Sequence, residues 1–312
     1  LMDYSVLIAG SGSIGSRHRK NLQSIGIDRI TTCDPVAEAD YKDLVEAINA
    51  AKPDVLFVCS PSKFHIEQAL IGAKANAHLF IEKPLSNSLD GINELKAEVA
   101  ERNLTCMVGC NMRFLTGPSK VKELIDARTI GAITEATVYA GSYLPDWRPQ
   151  SDYKQSYSAD PVQGGAILDM IHEIDLALWY FGSATLANTK LQTAESIGLS
   201  TEGTADLTLE HASGCTSNVH LSYMEKDYKR FCDIKGESGS IRWDINEKKV
   251  EVLDVGGTIT DSYPEPSDYD FNQCYIDEIT HFFDCISFGN TPQGNLDDAS
   301  CALEIALAAK HS

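Results

Sequence analysis

A glycine-rich turn between an apolar run and an amphipathic segment is the feature that most restricts how this chain can fold. The apolar run ends at Ala9, and the turn follows directly as Gly10-Ser11-Gly12-Ser13-Ile14-Gly15. Glycines at this spacing allow a tight turn, close approach of a pyrophosphate to the backbone and close packing of the next helix. The helix N-terminus adds unpaired N–H groups and positive potential. These six residues are predicted to bind a dinucleotide, with a glycine turn in an unrelated α/β protein as the alternative.

The region from residue 3 to about 115 alternates short β-rich apolar runs with amphipathic segments of helical length, which favours parallel βαβ units. Strands are expected at 5–9, 29–33, 55–59, 78–81 and 105–108. Helices are expected at 14–24, 41–49, 64–74 and 89–101. Ligands of such a sheet bind at the carboxyl ends of its strands. Residues 1–116 are therefore predicted to form an α/β Rossmann domain that binds NAD(P).

The pattern changes after Gly117-Pro118, where apolar and polar residues begin to alternate as in antiparallel strands. Strands are expected at 134–141, 203–210, 216–223, 229–235, 239–244 and 249–254, and helices at 119–127, 166–180, 273–287 and 296–309. Residues 117–312 are thus predicted to form an α+β domain that binds substrate, with an open, mainly antiparallel sheet and helices on one face. The other face needs a cover, so a homo-oligomer, dimeric or tetrameric, is expected.

Charge and cysteine usage restrict the partners and the compartment. A formal net charge of −19 would repel nucleic acid and anionic lipid, so neither is expected as a partner. Nine cysteines scattered through apolar segments suit reduced thiols better than a disulfide framework. The sequence begins with a strand-like run and has no long apolar stretch, so a soluble, cytoplasmic protein is expected. No bound metal is expected.

Asp34 ends the second expected strand, 19 residues after Gly15. A carboxylate at this position can accept hydrogen bonds from the adenosine ribose hydroxyls and would repel a 2′-phosphate. NAD is therefore favoured over NADP, and an ordinary turn residue is the alternative interpretation of Asp34. NADP remains the other candidate because three arginines lie nearby: Arg17, Arg19 and Arg29.

The third and fourth expected strands end in Ser60-Pro61, with His65 shortly after, and in Glu82-Lys83-Pro84. A lysine at the carboxyl end of a buried strand would lie beside the nicotinamide, where it can donate or accept a proton. The Lys83-Pro84 bond is also a candidate cis peptide. By itself, Lys83 could equally be a surface lysine at a strand end.

These motifs, taken with the glycine loop, resemble the hallmark series of the glucose-fructose oxidoreductase/inositol dehydrogenase (Gfo/Idh/MocA) family. Asn111-Met-Arg113-Phe114 resembles the inter-domain segment of that family, and residues 164–175 extend the match into the second domain. The resemblance covers most of the chain in the family's order. It implies a cofactor site and a substrate site, with Lys83, His172 and Asp169 as catalytic residues. The cofactor residues implied outside the glycine loop are Asp34, Ser60, Pro61, His65, Glu82 and Lys83.

Asp169, His172 and Asp175 are spaced i, i+3, i+6 and would share one face of the expected helix. An imidazole flanked by carboxylates suits a general base near neutral pH. The alternative is a helical histidine that is simply satisfied by its acidic neighbours. The family commonly separates its Asp and His by four residues rather than three, which makes the role of Asp169 less direct than that of His172.

The segment 142–157 combines aromatic, acidic and cationic side chains, a composition that suits a polyol ring. It resembles the loop of family members linked to bacterial surface sugars, which implies a sugar-like, nucleotide-linked or amino-sugar substrate. Arg113, Arg148 and Lys154 either bind a phosphate or carboxylate or pair with the protein's own acids. The expected substrate residues are Asn111, Arg113, Tyr143, Trp147, Arg148, Tyr153 and His172.

The resemblance implies hydride transfer between the nicotinamide and a hydroxyl-bearing carbon of a sugar, cyclitol or nucleotide sugar. This interpretation requires the Lys83 amine and the His172 imidazole to act at one cleft. Alternatives are a redox-neutral NAD-dependent hydrolase or epimerase of the same fold, a reductase acting on a dihydrodiol or an imine, and a non-catalytic NAD-binding regulator.

Overall fold

A computed structural model of the chain describes residues 3–147 and 149–312. Arg148, one of the expected substrate residues, lies outside the described residues. The chain forms two compact units, the first from Leu1–Asn111 and Phe271–Leu303, and the second from Met112–Asp270 and Glu304–Ser312. The expected division into 1–116 and 117–312 therefore differs from the observed one, because residues 271–303 return to the first unit.

The first unit contains a five-stranded parallel sheet with strand order β2-β1-β3-β4-β5. Its strands are β1 (Val6–Ala9), β2 (Ile30–Cys33), β3 (Val55–Val58), β4 (His78–Ile81) and β5 (Cys106–Val108). Its helices are α1 (Ser13–Ser24), α2 (Leu44–Ala51), α3 (His65–Lys74), α4 (Ile92–Glu101) and α8 (Gln273–Phe288), together with the start of α9 (Leu296–Lys310). The strand order reverses between β1 and β3, so the ligand crevice of such a sheet lies at the carboxyl ends of these two strands.

Aromatic packing explains why the first unit includes α8. The rings of Phe57 on β3 and Phe80 on β4 stack with centroids 4.6 Å apart. Phe282 of α8 meets both rings edge-on, at 6.0 and 5.6 Å. Spacing along the chain shows that α8 is amphipathic but not which sheet its apolar face covers, so the sequence could not assign α8 to the first unit.

The second unit contains an eight-stranded sheet with strand order β13-β12-β11-β10-β6-β9-β8-β7, in which the β6–β9 pair is parallel and the others are antiparallel. Its strands are β6 (Ile133–Tyr143), β7 (Ala184–Thr193), β8 (Glu202–His211), β9 (Thr216–Ser222), β10 (Met224–Gly236), β11 (Gly239–Asp244), β12 (Lys249–Leu253) and β13 (Ile259–Pro264). Its helices are α5 (Thr116–Asp126), α6 (Ala166–Asp169) and α7 (His172–Phe181). The predicted fold class, a parallel Rossmann sheet plus an α+β unit with a mainly antiparallel sheet, is confirmed.

Two strands of the second unit, β7 and β13, were not predicted. Both lie at the edges of the sheet and are mostly exposed, so their sequences lack the buried apolar alternation that marks a strand. The expected single helix at 166–180 is also divided, because Met170 and Ile171 form a turn between α6 and α7. Asp169 therefore ends one helix and His172 begins the next, and the three residues of the expected helix face do not share one helix.

No helix in the described part of the chain is both long and apolar enough to cross a membrane.

Candidate active site

The glycine turn has the shape that a bound pyrophosphate needs. Gly10 has a φ of +102°, and a Cβ there would lie 2.6 Å from the carbonyl carbon of Cys59. A Cβ on Gly15 would lie 1.9 Å from the Gly10 carbonyl oxygen. In contrast, a Cβ on Gly12 would meet nothing within 4 Å. Backbone packing thus requires Gly10 and Gly15, whereas Gly12 borders open space that a side chain would fill and that a diphosphate can use.

The N-terminus of α1 offers hydrogen-bond donors at the same place. Gly12 is the N-cap, and no side chain of the described residues caps the helix there. The Ser11 hydroxyl is buried and has no hydrogen-bond partner among the described residues. Free N–H groups, positive helix potential and an unsatisfied hydroxyl together fit the anionic centre of a dinucleotide.

Asp34 joins this turn to the end of β2. Its Oδ2 accepts the Ser11 N–H at 2.8 Å, and its Oδ1 accepts the N–H groups of Val36 and Ala37 at 2.9 and 2.8 Å. Burial raises the pKa of Asp34, but the three backbone hydrogen bonds outweigh it and hold the pKa below its ordinary value. A carboxylate has about four acceptor positions, so one remains for a ribose hydroxyl.

His65 and Ser60 connect the ends of β3 and β4. The His65 ring is 1% exposed, and its Nε2 and Nδ1 lie 2.7 and 2.9 Å from the carbonyl oxygens of Ser60 and Pro84. Burial lowers the pKa of His65 despite the contribution of these carbonyls. The Ser60 hydroxyl donates to Gln68 at 2.7 Å. Both ring nitrogens of His65 therefore face backbone carbonyls, and its expected place beside the cofactor stays a prediction.

Glu82 and Lys83 follow β4 with different surroundings. The buried Glu82 carboxylate accepts a hydrogen bond from Nε2 of His18, 2.5 Å away. His18 is fully buried on α1 against the rings of Phe57 and Phe80, and sequence reasoning did not select it. Lys83 is partly exposed, and its bond to Pro84 is cis, as predicted. Glu82 thus supports the strand end from inside, whereas Lys83 is the motif residue with access to solvent.

The second unit brings Asp169 together with a residue that was not predicted. The hydroxyl of Tyr223 donates to Oδ2 of Asp169 at 2.5 Å, and both side chains are buried. His172 is also buried, at the first position of α7. Tyr223 was expected only as the end of a strand, and an isolated tyrosine there carries no sequence signal for a carboxylate partner.

Arg113 and Asn111, two expected substrate residues, are engaged inside the protein. Nε and Nη2 of Arg113 donate to the two carboxylate oxygens of Asp175 at 2.9 and 2.6 Å, and the arginine is 4% exposed. Of the two alternatives left open for Arg113, the structure shows pairing with an acid of the protein. The Asn111 amide donates to Sγ of Cys274 at 3.4 Å. Both side chains therefore hold the fold together and are turned away from solvent.

Two aromatic side chains of the expected substrate loop, Trp147 and Tyr157, are exposed, and Trp147 is anchored by two contacts. The Trp147 indole N–H donates to the Ser142 hydroxyl at 2.8 Å, and the ring is edge-to-face with Tyr223 at 5.4 Å. Tyr143 ends β6, where its ring lies 5.8 Å from the Lys226 ammonium. The Tyr153 hydroxyl donates to the Ile197 carbonyl. Trp147 is thus placed to offer a stacking surface.

Metal-ligand geometry is not found in the described residues. No group of three or more His, Cys, Asp or Glu side chains there is arranged to hold an ion. None of the nine cysteines forms a disulfide, and eight of them are buried.

A glycine turn that fits a diphosphate at the switch point of a parallel sheet, followed by an α+β unit with a mainly antiparallel sheet, is the architecture of a nicotinamide-dependent oxidoreductase. Sequence comparison agrees, because residues 4–110 match the oxidoreductase family with an NAD-binding Rossmann fold. Residues 119–242 match the GFO/IDH/MocA C-terminal domain. The chain belongs to the GFO/IDH/MocA family, and it is an NAD-binding oxidoreductase of the inositol and sugar dehydrogenase type.

Curated relatives and solved structures match along nearly the whole chain. The myo-inositol 2-dehydrogenase of Thermotoga maritima is 28% identical, over 98% of this chain and 95% of the relative. The scyllo-inositol 2-dehydrogenase (NAD(+)) of Bacillus subtilis is 25% identical, over 98% of this chain and 92% of the relative. The scyllo-inositol dehydrogenase of Lactobacillus casei, solved with NAD(H) and scyllo-inositol, has a TM-score of 0.78 and 22% identity, with 99% and 96% of the two chains covered.

Proposed function

We propose that this protein is an NAD-dependent dehydrogenase that oxidises a hydroxyl-bearing ring carbon of a cyclitol or sugar. The observation that carries the proposal is the partly exposed Lys83 at the carboxyl end of β4, on the edge of the sheet where the Gly12 cradle opens. A Rossmann-type sheet binds its ligand along this edge. The inositol dehydrogenases among the relatives support a cyclic polyol as the substrate.

NAD supplies the hydride acceptor when it is bound, and the residues of the chain manage the proton and the geometry. His172 or Lys83 takes the hydroxyl proton, and the other donates a hydrogen bond to the oxygen as it becomes a carbonyl. Asp169, held by the Tyr223 hydroxyl, supports the proton-handling role of His172 in the same unit. The glycine cradle, Asp34 and Ser60-Pro61 would hold the cofactor, and positioning of cofactor and substrate in reactive geometry contributes to the rate.

A neutral ring is favoured over a nucleotide-linked sugar. Arg113 was one of three cations expected to bind a phosphate, and its guanidinium is already neutralised by the buried Asp175 carboxylate. The ammonium of Lys154 lies 5.9 Å from the ring of Tyr153. The aromatic surface of Trp147 suits the apolar face of a polyol ring.

The experiment that tests this function is a panel of inositols, free sugars and nucleotide sugars, each assayed with NAD and with NADP at the reduced-nicotinamide absorbance band. Net formation of NADH with at least one cyclitol or free sugar is the expected outcome. Product without net NADH would instead indicate a redox-neutral hydrolase or epimerase. A protein that binds NADH but turns over no member of the panel would point to an imine or dihydrodiol reductase, or to a regulator.

We also propose that the protein works as a homo-oligomer, dimeric or tetrameric, assembled through the second unit. Helices α5, α6 and α7 pack against one face of its sheet. On the other face the half-buried rings of His220, Tyr139 and Phe231 form a stack with centroids 4.4 and 4.8 Å apart. A row of aromatic rings on a sheet face suits burial against a second copy. Sedimentation velocity should show a dimer or tetramer and a smaller species for F231D, and a monomeric wild type would contradict the proposal.

The reduced state of the cysteines favours a cytoplasmic location, which we propose for this protein. None of the nine cysteines forms a disulfide, and Cys301 is exposed. Free thiols persist in reducing compartments and are commonly paired in oxidising ones. Fractionation of the native cells with a redox-sensitive thiol label tests this location.

A further inference from the structure

Tyr223 lies at a junction of three elements in the second unit. It is the single residue between β9 and β10, and it is 0% exposed. Its N–H donates to the carbonyl of Gly203 on β8 at 2.7 Å. Its carbonyl accepts the N–H of Leu144, the residue that follows β6, at 3.0 Å. The backbone at this position is therefore held on both sides, and the direction of the side chain is well determined.

The hydroxyl of this side chain is committed to Asp169. The O–H donates to Oδ2 at 2.5 Å. Burial, and next the negative charge of Asp169, raise the pKa of Tyr223 well above its ordinary value. The phenol therefore keeps its proton at physiological pH and donates permanently to the carboxylate. A charge-assisted hydrogen bond of this kind fixes geometry more strongly than a bond between neutral groups.

The ring of the same side chain supports the substrate loop. Trp147 meets it edge-to-face, with centroids 5.4 Å apart and an interplanar angle of 90°. Trp147 itself is 39% exposed, so part of the indole that contacts Tyr223 also reaches solvent. Edge-to-face pairs of this geometry are attractive beyond the area that they bury. The orientation of the exposed indole thus depends on the position of the Tyr223 ring.

We propose that Tyr223 is a positioning residue that joins the proton-handling carboxylate to the substrate-stacking surface. Its hydroxyl sets the orientation of Asp169, and its ring sets the orientation of Trp147. This inference rests on the proposed dehydrogenase function, in which Asp169 takes part in catalysis and Trp147 contacts the substrate. A tyrosine that only fills the core would have neither effect on the kinetics.

Two substitutions separate the two contributions, and a third is the control. Y223F removes the hydroxyl and keeps the ring, whereas Y223L removes both. The matched control is Y180F, because Tyr180 is another buried tyrosine of the same unit. Its hydroxyl donates to the Pro118 carbonyl at 3.1 Å and not to Asp169. All proteins are compared by steady-state kinetics on the best substrate of the panel, by NADH binding and by thermal unfolding.

We expect Y223F to lower kcat by about 10- to 100-fold with KM for the polyol within about threefold, because a displaced catalytic group reduces turnover more than binding. Y223L should show the same loss of kcat and, in addition, raise KM by about tenfold as Trp147 loses its support. Y180F should keep kcat and KM near the wild-type values. NADH affinity should be unchanged in all three, because the nucleotide cradle belongs to the first unit.

Wild-type kcat in Y223F, with a loss of melting temperature no larger than that of Y180F, would overturn the hydroxyl half of the proposal. Equal KM values for Y223F and Y223L would overturn the ring half. If the wild type turns over nothing, the proposed function fails, but the contacts of Tyr223 can still be tested without turnover. Y223F should then lower the melting temperature more than Y180F, because its acceptor is charged. The fluorescence of Trp147 is obtained by subtracting the spectrum of each protein's W147F derivative. This Trp147 emission should shift to longer wavelength in Y223L only.

Discussion

His65 and Glu82 show how burial changes the role of residues that belong to a recognisable motif. Both are predicted cofactor residues. In the structure, His65 lies between the carbonyls of Ser60 and Pro84, and Glu82 accepts a hydrogen bond from His18. These contacts hold the ends of β3 and β4 in place. The motif is therefore a support for Lys83 as much as a set of ligand contacts, and Lys83 remains the residue with solvent access.

Replacement of Lys83 by methionine keeps the length of the side chain and removes the ammonium. We expect K83M to lower kcat/KM at least about 100-fold, since general acid–base groups contribute this much or more. NADH binding, followed by fluorescence, should stay within a few-fold of wild type. The control is K74M, because Lys74 is an exposed lysine on α3 paired with Glu94. Undiminished turnover in K83M would remove Lys83 from the mechanism.

Asp34 is the residue on which the preference for NAD depends. D34N removes the negative charge and places an amide where an acceptor of backbone N–H groups is needed. We expect kcat/KM with NAD to fall by at least about tenfold, and the ratio of NADP to NAD activity to rise. D40N is the control, because Asp40 accepts the N–H and hydroxyl of Thr32 and does not contact the glycine turn. An unchanged cofactor ratio would assign Asp34 a purely structural role.

At the scale of elements, the placement of α8 and the break before α7 are the features that local patterns did not reveal. The amphipathic pattern of α8 predicts a helix correctly, but its apolar face packs against β3 and β4 of the first unit. The break at Met170-Ile171 separates Asp169 from the helix that carries His172. Asp175 on α7 then pairs with Arg113, so only one carboxylate of the three-residue set remains for catalysis.

Truncation of the helix α8 anchor should destabilise the first unit. We expect F282A to lower the free energy of unfolding by about 3–5 kcal/mol, the usual cost of removing a buried phenylalanine. F288A on the same helix is the control, because Phe288 is 74% exposed and its loss should cost little. The measurement is chemical unfolding with and without NADH, which identifies the transition of the nucleotide-binding unit. Equal effects of the two substitutions would mean that α8 is not part of that unit's core.

For the whole molecule, histidine side chains that are desolvated in the folded state make stability depend on pH. Burial lowers the pKa of four histidines, His65, His78, His211 and His281, below the ordinary value of 6.5. The unfolded chain therefore binds more protons than the folded chain as the pH falls below about 6.5, so the free energy of unfolding decreases. The stabilisation is complete above that pH and is lost as the pH falls through the folded pKa values.

We expect chemical unfolding at pH 7.5 and pH 5.5 to show lower stability at the acid pH. H65Q should reduce this difference, because its side chain no longer takes up a proton on unfolding. H311Q is the control, since His311 is exposed near the end of the chain. A protein that gained stability between pH 7.5 and pH 5.5 would contradict the assignment of these buried histidines.

The sequence alone determined the features that depend on neighbouring residues: the glycine turn, the five parallel strands, the strand-end motifs and the fold class. Sterics and hydrophobic periodicity act over a few residues, so their signals can be read along the chain. Only the tertiary structure decided which side chains meet, because the deciding pairs are far apart in sequence. His18 and Glu82 are separated by 64 residues, Arg113 and Asp175 by 62, and Asp169 and Tyr223 by 54. A side chain buried by such a partner acquires a role that its local pattern does not contain, and this is why His18 and Tyr223 were missed.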